Sequence, residues 1–126
     1  LEPKDFNRIQ TISTVAEANQ DVSAGSADIQ IHPGGKFLYA SNRGDMNDIA
    51  IYEIDQTDGT LRIIGHQSSL GKGPRSFVID PTGTFLLVAN QDSSDIYTFR
   101  IDRTTGLLND DPVRTEVPTP VCLKIM

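Results

Sequence analysis

The feature that most constrains the fold is an internal repeat with a period of 47–48 residues. Five positions recur 48 residues later, namely Pro33, Gly35, Phe37, Leu38 and Asn42 as Pro81, Gly83, Phe85, Leu86 and Asn90. Six more recur 47 residues later, namely Asp48, Ile49, Ile54, Asp55, Gly59 and Leu61 as Asp95, Ile96, Ile101, Asp102, Gly106 and Leu108. The slip of one residue falls inside a polar loop, so the register is kept on both sides, as in a structural repeat.

Each unit has the pattern of four short strands separated by turns. Apolar runs rich in β-branched and aromatic residues alternate with Pro-x-Gly, Asp-Gly and Thr-Gly turn signals. The first unit has predicted strands at residues 29–32, 37–42, 49–55 and 61–67, and the second at 77–80, 85–90, 96–102 and within 112–117. No stretch has a sustained helical apolar period, so the sequence predicts an all-β chain.

Four antiparallel strands repeating in this way are typical of a β-propeller blade. The sequence predicts two complete four-stranded blades, at residues 26–70 and 71–116. Residues 1–25 are predicted to hold the outer strand of a preceding blade, at 6–14, and its loop, and residues 117–126 to begin a closing blade. Because a ring needs about four to eight blades, we expect the rest in a longer protein or another chain. A small β-sandwich is the competing interpretation.

The composition excludes several classes of function. The net charge of −6 argues against a nucleic-acid binder, which needs a basic surface. No apolar run approaches the length of a membrane span. Cys122 is the only cysteine, so an internal disulfide and a thiolate metal cluster are excluded. We find no metal-binding or phosphate-loop motif, and we expect neither a metal nor a cofactor.

The stretch at residues 27–44, ADIQIHPGGKFLYASNRG, resembles the signature of the lactonase family of seven-bladed β-propellers. This family includes propeller-type 6-phosphogluconolactonases and carboxymuconate lactonizing enzymes. GPRSF at 73–77, DPTG at 80–83, VANQDS at 88–93 and VPTPVC at 117–122 also match its phrasing. The resemblance implies the C-terminal portion of a seven-bladed ring. It also implies hydrolysis of a small anionic sugar lactone such as 6-phosphogluconolactone.

Propeller geometry predicts where a site would lie. Successive strands are antiparallel, so the loop entering the innermost strand and the loop between the second and third strands emerge on one face. Residues 71–75, 42–45 and 90–92 therefore converge at one mouth of the channel. Arg75 is the catalytic candidate, because a guanidinium after a Gly-Pro turn could hold an anion or stabilise an oxyanion. The structural alternative is an ion pair between Arg75 and a neighbouring blade.

The candidate substrate-binding residues are Arg43, Lys72, Asn42, Asn90, Gln91, Asp92 and Gln30. Asn42 and Asn90 end equivalent strands, where capping of the loop backbone is the alternative role. Gln30 stands where the family commonly has His, so the resemblance implies the loss of a channel-facing imidazole at that position. A His or carboxylate from the absent blades is the expected general base.

Two other functions stay open at this point. A muconate cyclase would use the same kind of cationic site, and a non-catalytic propeller would bind a ligand or a protein. By itself the chain is expected to be inactive. The cytoplasm is the favoured compartment, and a secreted or periplasmic location stays open because the chain begins at Leu1.

Overall fold

The chain folds into two four-stranded antiparallel sheets. The computed structural model describes residues 6–19 and 21–126. The first sheet consists of β1 (Ala24–Ile31), β2 (Phe37–Gly44), β3 (Asp48–Ile54) and β4 (Leu61–Ser68), and the second of β5 (Pro74–Ile79), β6 (Phe85–Asn90), β7 (Asp95–Arg100) and β8 (Val113–Glu116), each in sequence order. A 3₁₀ helix at Glu17–Asn19 precedes them. None of the described helical residues forms a helix long and apolar enough to cross a membrane. The predicted all-β class and the two four-stranded units are confirmed.

The repeat in the sequence is a repeat in register. Asn42 of β2 lies opposite Asp48 of β3, and Asn90 of β6 lies opposite Asp95 of β7. In both sheets the residue directly before the third strand has a positive φ, 45° at Asn47 and 56° at Ser94. The one-residue difference between the repeats is therefore absorbed in the loop, as predicted, without shifting either strand pair.

The flanking segments differ from the predicted strands. Residues 6–14 form no strand but run along the first sheet, where Gln10 exchanges two hydrogen bonds with the backbone of Leu61. Ile12 packs on an apolar cluster of that sheet. Residues 117–126 also contain no strand. Neither segment forms a hydrogen-bonded ladder with the strands of the described residues, and a strand requires such a ladder. Residues 1–5 and 20 of the predicted segment at 1–25 lie outside the described residues.

The two sheets pack on each other through one apolar core. Its buried members are Phe37, Tyr39, Ile49 and Ile51 of the first sheet, and Phe77, Leu86, Val88, Phe99, Ile101 and Leu108 of the second unit. Polar contacts fix the turns of the second sheet onto the first. Tyr39 donates its hydroxyl to the Gly106 carbonyl at 2.6 Å, and the His32 Nε2 lies 2.8 Å from the Gly83 carbonyl oxygen.

Equivalent positions of the repeat reveal apolar side chains that are buried in one sheet and exposed in the other. Phe77 of β5 is fully buried against the first sheet, whereas its counterpart Ile29 of β1 is 64% exposed. Phe37 is 5% exposed beneath the second sheet, whereas its counterpart Phe85 is 38% exposed. Burying such a side chain contributes about 1.5–3 kcal/mol. The two sheets are thus stacked like consecutive blades, with apolar flanks on both outer sides.

The Tyr39 hydroxyl provides a test of this packing in the full-length protein. Tyr39→Phe leaves the buried Gly106 carbonyl without this donor, and we expect a loss of about 1–2 kcal/mol in the free energy of unfolding. Burial raises the pKa of Tyr39 above its usual value. The stabilisation from the neutral phenol is therefore complete below about pH 10 and lost as the pH rises further. Urea unfolding should show a steeper alkaline loss for wild type than for Tyr39→Phe. Equal slopes would contradict this account.

Candidate functional site

A cleft of about 370 Å³ opens where the innermost strands β1 and β5 meet. It is lined by Ser26, Ala27 and Asp28 of β1, Arg43 of β2, Arg75 and Ser76 of β5, and Val121. The structure therefore brings together two of the predicted site residues, Arg43 and Arg75, from different sheets.

Arg75 is aimed by a tight turn. Gly73 has a φ of 71°, and its carbonyl accepts the Arg75 backbone N–H at 2.7 Å across Pro74. A Cβ at Gly73 would lie 2.5 Å from the Asp92 Oδ2, so this turn requires glycine. The exposed guanidinium donates from Nη1 to the Gln91 Oε1 at 3.3 Å. No described carboxylate lies within ion-pair distance of it, so the alternative role, an ion pair with a neighbouring blade, is not seen among the described residues.

Arg43 enters the cleft from the end of β2, opposite Gly25 of β1. The following Gly44 has a φ of 78°, and a Cβ there would lie 2.6 Å from the Ser23 carbonyl oxygen. Asp45 donates its N–H to the same carbonyl at 2.8 Å, which closes the loop against the start of β1. Arg43 is exposed and, within the described part of the chain, also has no carboxylate at ion-pair distance.

Asp28 is a cleft residue that the sequence analysis missed. Its Oδ1 accepts the N–H of Ile29 at 2.9 Å, and its Oδ2 accepts the N–H of Phe77 at 3.1 Å. The carboxylate thereby joins the innermost strands of the two sheets. Ser76, which is 48 residues later, accepts the N–H of Leu123 at 3.3 Å in the same way. The repeat offset of 48 residues places Asp28 and Ser76 at equivalent positions of the innermost strands, and this equivalence could have identified Asp28 from the sequence.

Three other candidates lie in the loops next to Arg75 but do not line the cleft. The side-chain oxygen of Gln91 accepts a hydrogen bond from the Arg75 guanidinium, and the backbone N–H of Gln91 donates to the Gly73 carbonyl at 2.8 Å. Lys72 is exposed, and its carbonyl accepts the N–H of Asp92 at 3.0 Å. This loop surrounds the turn that carries Arg75, and the contacts that Gln91, Lys72 and Asp92 make there are with the loop itself.

The remaining three candidates are used inside the sheets. Asn42 is fully buried and donates to the Asp48 Oδ1 at 2.9 Å and the Thr14 carbonyl at 2.7 Å. Its counterpart Asn90 is equally buried and donates to the Asp95 Oδ1 and the Ser69 carbonyl. Gln30 donates to the Phe77 carbonyl at 3.3 Å. None of these three residues lines the cleft, and their amide N–H groups donate to backbone carbonyls or to carboxylates of the blades.

A family model described as "Lactonase, 7-bladed beta-propeller" matches residues 2–125. The chain is 52% identical over 98 residues to a 6-phosphogluconolactonase of Formosa agariphila, covering 77% of this chain and 28% of that protein. It is 38% identical over 122 residues to the 6-phosphogluconolactonase of Bacillus subtilis strain 168, covering 97% of this chain and 34% of that protein.

A solved structure of a periplasmic gluconolactonase from Pseudomonas aeruginosa is also similar. It superposes with a TM-score of 0.79 at 33% identity, over 84% of this chain and 29% of that one. The chain therefore spans about a third of the length of the relatives it matches. Similarity over nearly the whole chain agrees with the stacking of two blades that the exposed residues Ile29 and Phe85 indicate.

Proposed function

The chain belongs to the lactonase family of seven-bladed β-propellers, and from that membership we propose that the full-length protein hydrolyses 6-phosphogluconolactone to 6-phosphogluconate. The relatives described above that bear the name 6-phosphogluconolactonase support this choice of substrate.

The charge of the cleft carries the proposal. Arg43 and Arg75 line it, with Asp28 as the single carboxylate among its described lining residues. The cleft is thus net positive in a chain whose net charge is −6. Two guanidinium groups sharing one cleft repel each other unless an anion lies between them. A phosphorylated lactone supplies such an anion, and each guanidinium can bind a phosphate through two parallel hydrogen bonds.

The reaction divides between these residues and the rest of the ring. A water molecule, deprotonated by the general base, attacks the carbonyl carbon of the ring ester, and negative charge develops on the carbonyl oxygen. When this intermediate collapses, the ring C–O bond breaks, the ring oxygen takes up the proton and the carboxylate of the product forms. Arg75, at the end of a rigid turn, stabilises that charge, while Arg43 holds the phosphate of the substrate. The turns at Gly44 and Gly73 fix the backbone beside the two arginines, which reduces the reorganisation needed at the moment of attack.

The proposed general base lies in another blade of the ring, because the described lining residues of the cleft include no His and only one carboxylate. Asp28 is the carboxylate that lines the cleft, but its two oxygens accept the backbone N–H groups of Ile29 and Phe77. Asp28 therefore links the innermost strands. His32 contacts the Gly83 carbonyl beside the turns and does not line the cleft. A His or carboxylate of another blade would activate the water.

Further blades are the partners that this account requires. Ile29 and Phe85 remain exposed on the two outer flanks, at positions whose counterparts are buried between the sheets. Blades elsewhere in the same polypeptide, or a second chain, would cover these flanks and complete the channel around the cleft.

Purified full-length protein tests the function directly. We expect hydrolysis of 6-phosphogluconolactone well above the spontaneous rate, with a kcat/KM at least about tenfold higher than for gluconolactone, which lacks the phosphate. Equal kcat/KM values for the two lactones would mean that the phosphate is not recognised. The proposed substrate would then be a non-phosphorylated sugar lactone, in line with the name of the similar Pseudomonas aeruginosa gluconolactonase. No hydrolysis of either lactone would overturn the lactonase function.

A further inference from the structure

The loop between β2 and β3 contains a side chain that contacts both arginine-bearing segments. Asn47 donates from Nδ2 to the Gly44 carbonyl at 2.9 Å, directly after Arg43. Its Oδ1 accepts the N–H of Gly73 at 2.9 Å, two residues before Arg75. Only one orientation of the amide satisfies both contacts, because one partner is an acceptor and the other a donor.

The backbone of Asn47 adds a third contact to the same connection. Its carbonyl accepts the N–H of Ser69 at 2.9 Å, at the end of β4. The segment from Ser69 to Gly73, which leads into β5, is therefore fastened to Asn47 at both ends. Asn47 has a φ of 45°, a conformation that asparagine adopts more readily than most residues.

The second sheet has an equivalent clamp without the arginines. Ser94 also has a positive φ, its carbonyl accepts the N–H of Val117 at 3.0 Å, and its Oγ accepts the N–H of Thr119 at 3.2 Å. The connection that it fastens leads to Val121, which stands at the cleft position equivalent to Arg75. A side-chain clamp before the third strand is thus common to both sheets. Only the clamp of Asn47 contacts two segments that carry arginines.

We infer that Asn47 is a positioning residue that sets the separation of Arg43 and Arg75 through its amide, and thereby the affinity of the cleft for an anionic substrate. The amide fixes the Gly73–Pro74 turn on one side and the Arg43–Gly44 backbone on the other. Its effect on substrate affinity rests on the proposed lactonase function. The geometry that it imposes on the two arginines does not.

The test uses Asn47→Gly in the full-length protein, with Ser94→Gly as the matched control. Glycine tolerates the positive φ at both positions, so each variant removes the side-chain clamp without adding backbone strain. For Asn47→Gly we expect the KM for 6-phosphogluconolactone to rise about tenfold, with kcat changed less than about threefold. Ser94→Gly should leave KM within about twofold of wild type. Similar rises in KM for the two variants would overturn the inference.

Asn47→Asp separates the two arms of the amide. It keeps an acceptor for the Gly73 N–H but replaces the donor to the Gly44 carbonyl by an oxygen. We expect a KM between those of wild type and Asn47→Gly. A KM equal to that of wild type would show that the hydrogen bond to the Gly44 carbonyl does not contribute. It would contradict the inference that the whole amide sets the separation of the two arginines.

Crystal structures of wild type, Asn47→Gly and Ser94→Gly provide a readout that needs no activity. We expect the Arg43 and Arg75 guanidinium groups to keep their separation in Ser94→Gly and to move apart or become mobile in Asn47→Gly. An unchanged pair of arginines in Asn47→Gly would overturn the inference whatever the kinetics show. If wild type hydrolyses no lactone, the proposed function falls, and these structures still decide the role of Asn47.

Discussion

Arg75→Ala in the full-length protein should lower kcat/KM for 6-phosphogluconolactone by about 100- to 1000-fold, the usual cost of losing one group that stabilises an oxyanion. Arg75 lines the cleft directly after the Gly73–Pro74 turn, and Gln91 is the only hydrogen-bond partner of its guanidinium among the described residues. Arg75→Lys keeps the positive charge but loses the planar fork of donors. We therefore expect it to recover a part of the lost rate, measured by steady-state kinetics.

Arg62→Ala is the control for the loss of an arginine as such. Arg62 lies on the outer strand β4, is exposed, and pairs with Glu53 on the surface. Exposed ion pairs of this kind contribute little to stability, so kcat/KM should stay within about twofold of wild type. An Arg75→Ala enzyme with unchanged kinetics would end the proposed role of Arg75. Equal losses in both variants would point to a general effect of charge.

Gly106→Ala should be among the most destabilising single changes in the chain. Gly106 has a φ of 77°, and a Cβ there would lie 2.5 Å from the Cδ1 of Phe37, inside the interface between the two sheets. The backbone strain costs about 1 kcal/mol, and the overlap with a packed aromatic ring costs about 1–3 kcal/mol more. Urea unfolding of the full-length protein would measure the sum.

A double-mutant cycle with Phe37→Ala isolates the contact between the sheets. Phe37→Ala alone should cost about 3–5 kcal/mol because Phe37 is buried. In that background the overlap is gone, and Gly106→Ala should cost only the backbone strain, so the two substitutions are strongly non-additive. Additive losses would mean that Phe37 and Gly106 do not meet, and that the sheets do not stack as described.

The sequence predicted the strands well because repetition doubled every signal. Phe37 and Phe85 each follow a Pro-x-Gly turn, and the structure begins β2 and β6 at these residues. The flanking strands were less accessible. Residues 6–14 have the apolar pattern of an outer strand, yet a strand exists only when a neighbour completes its hydrogen bonds. The apolar pattern of a segment shows its tendency to form a strand, but it does not show whether a neighbouring strand is present to pair with it.

Part of the cleft was also predictable. The alternation of strand directions brought Arg43 and Arg75 to one face, which required only the order of the elements. The roles of Asn42 and Asn90 could not be predicted, because the sequence does not show how deeply a side chain is buried. In the structure each amide donates a hydrogen bond to an aspartate of the next strand. Asp28 was missed because its importance depends on contact with Phe77, 49 residues away and in the other sheet.

A crystal structure of the full-length protein with bound 6-phosphogluconate is the most direct test of the whole account. We predict a closed ring in which Ile29 and Phe85 are buried by neighbouring blades, and a ligand whose phosphate and carboxylate lie within hydrogen-bond distance of Arg43 and Arg75. A ligand bound elsewhere, with Arg75 turned toward the rim of the ring and the two outer flanks still open to solvent, would contradict it.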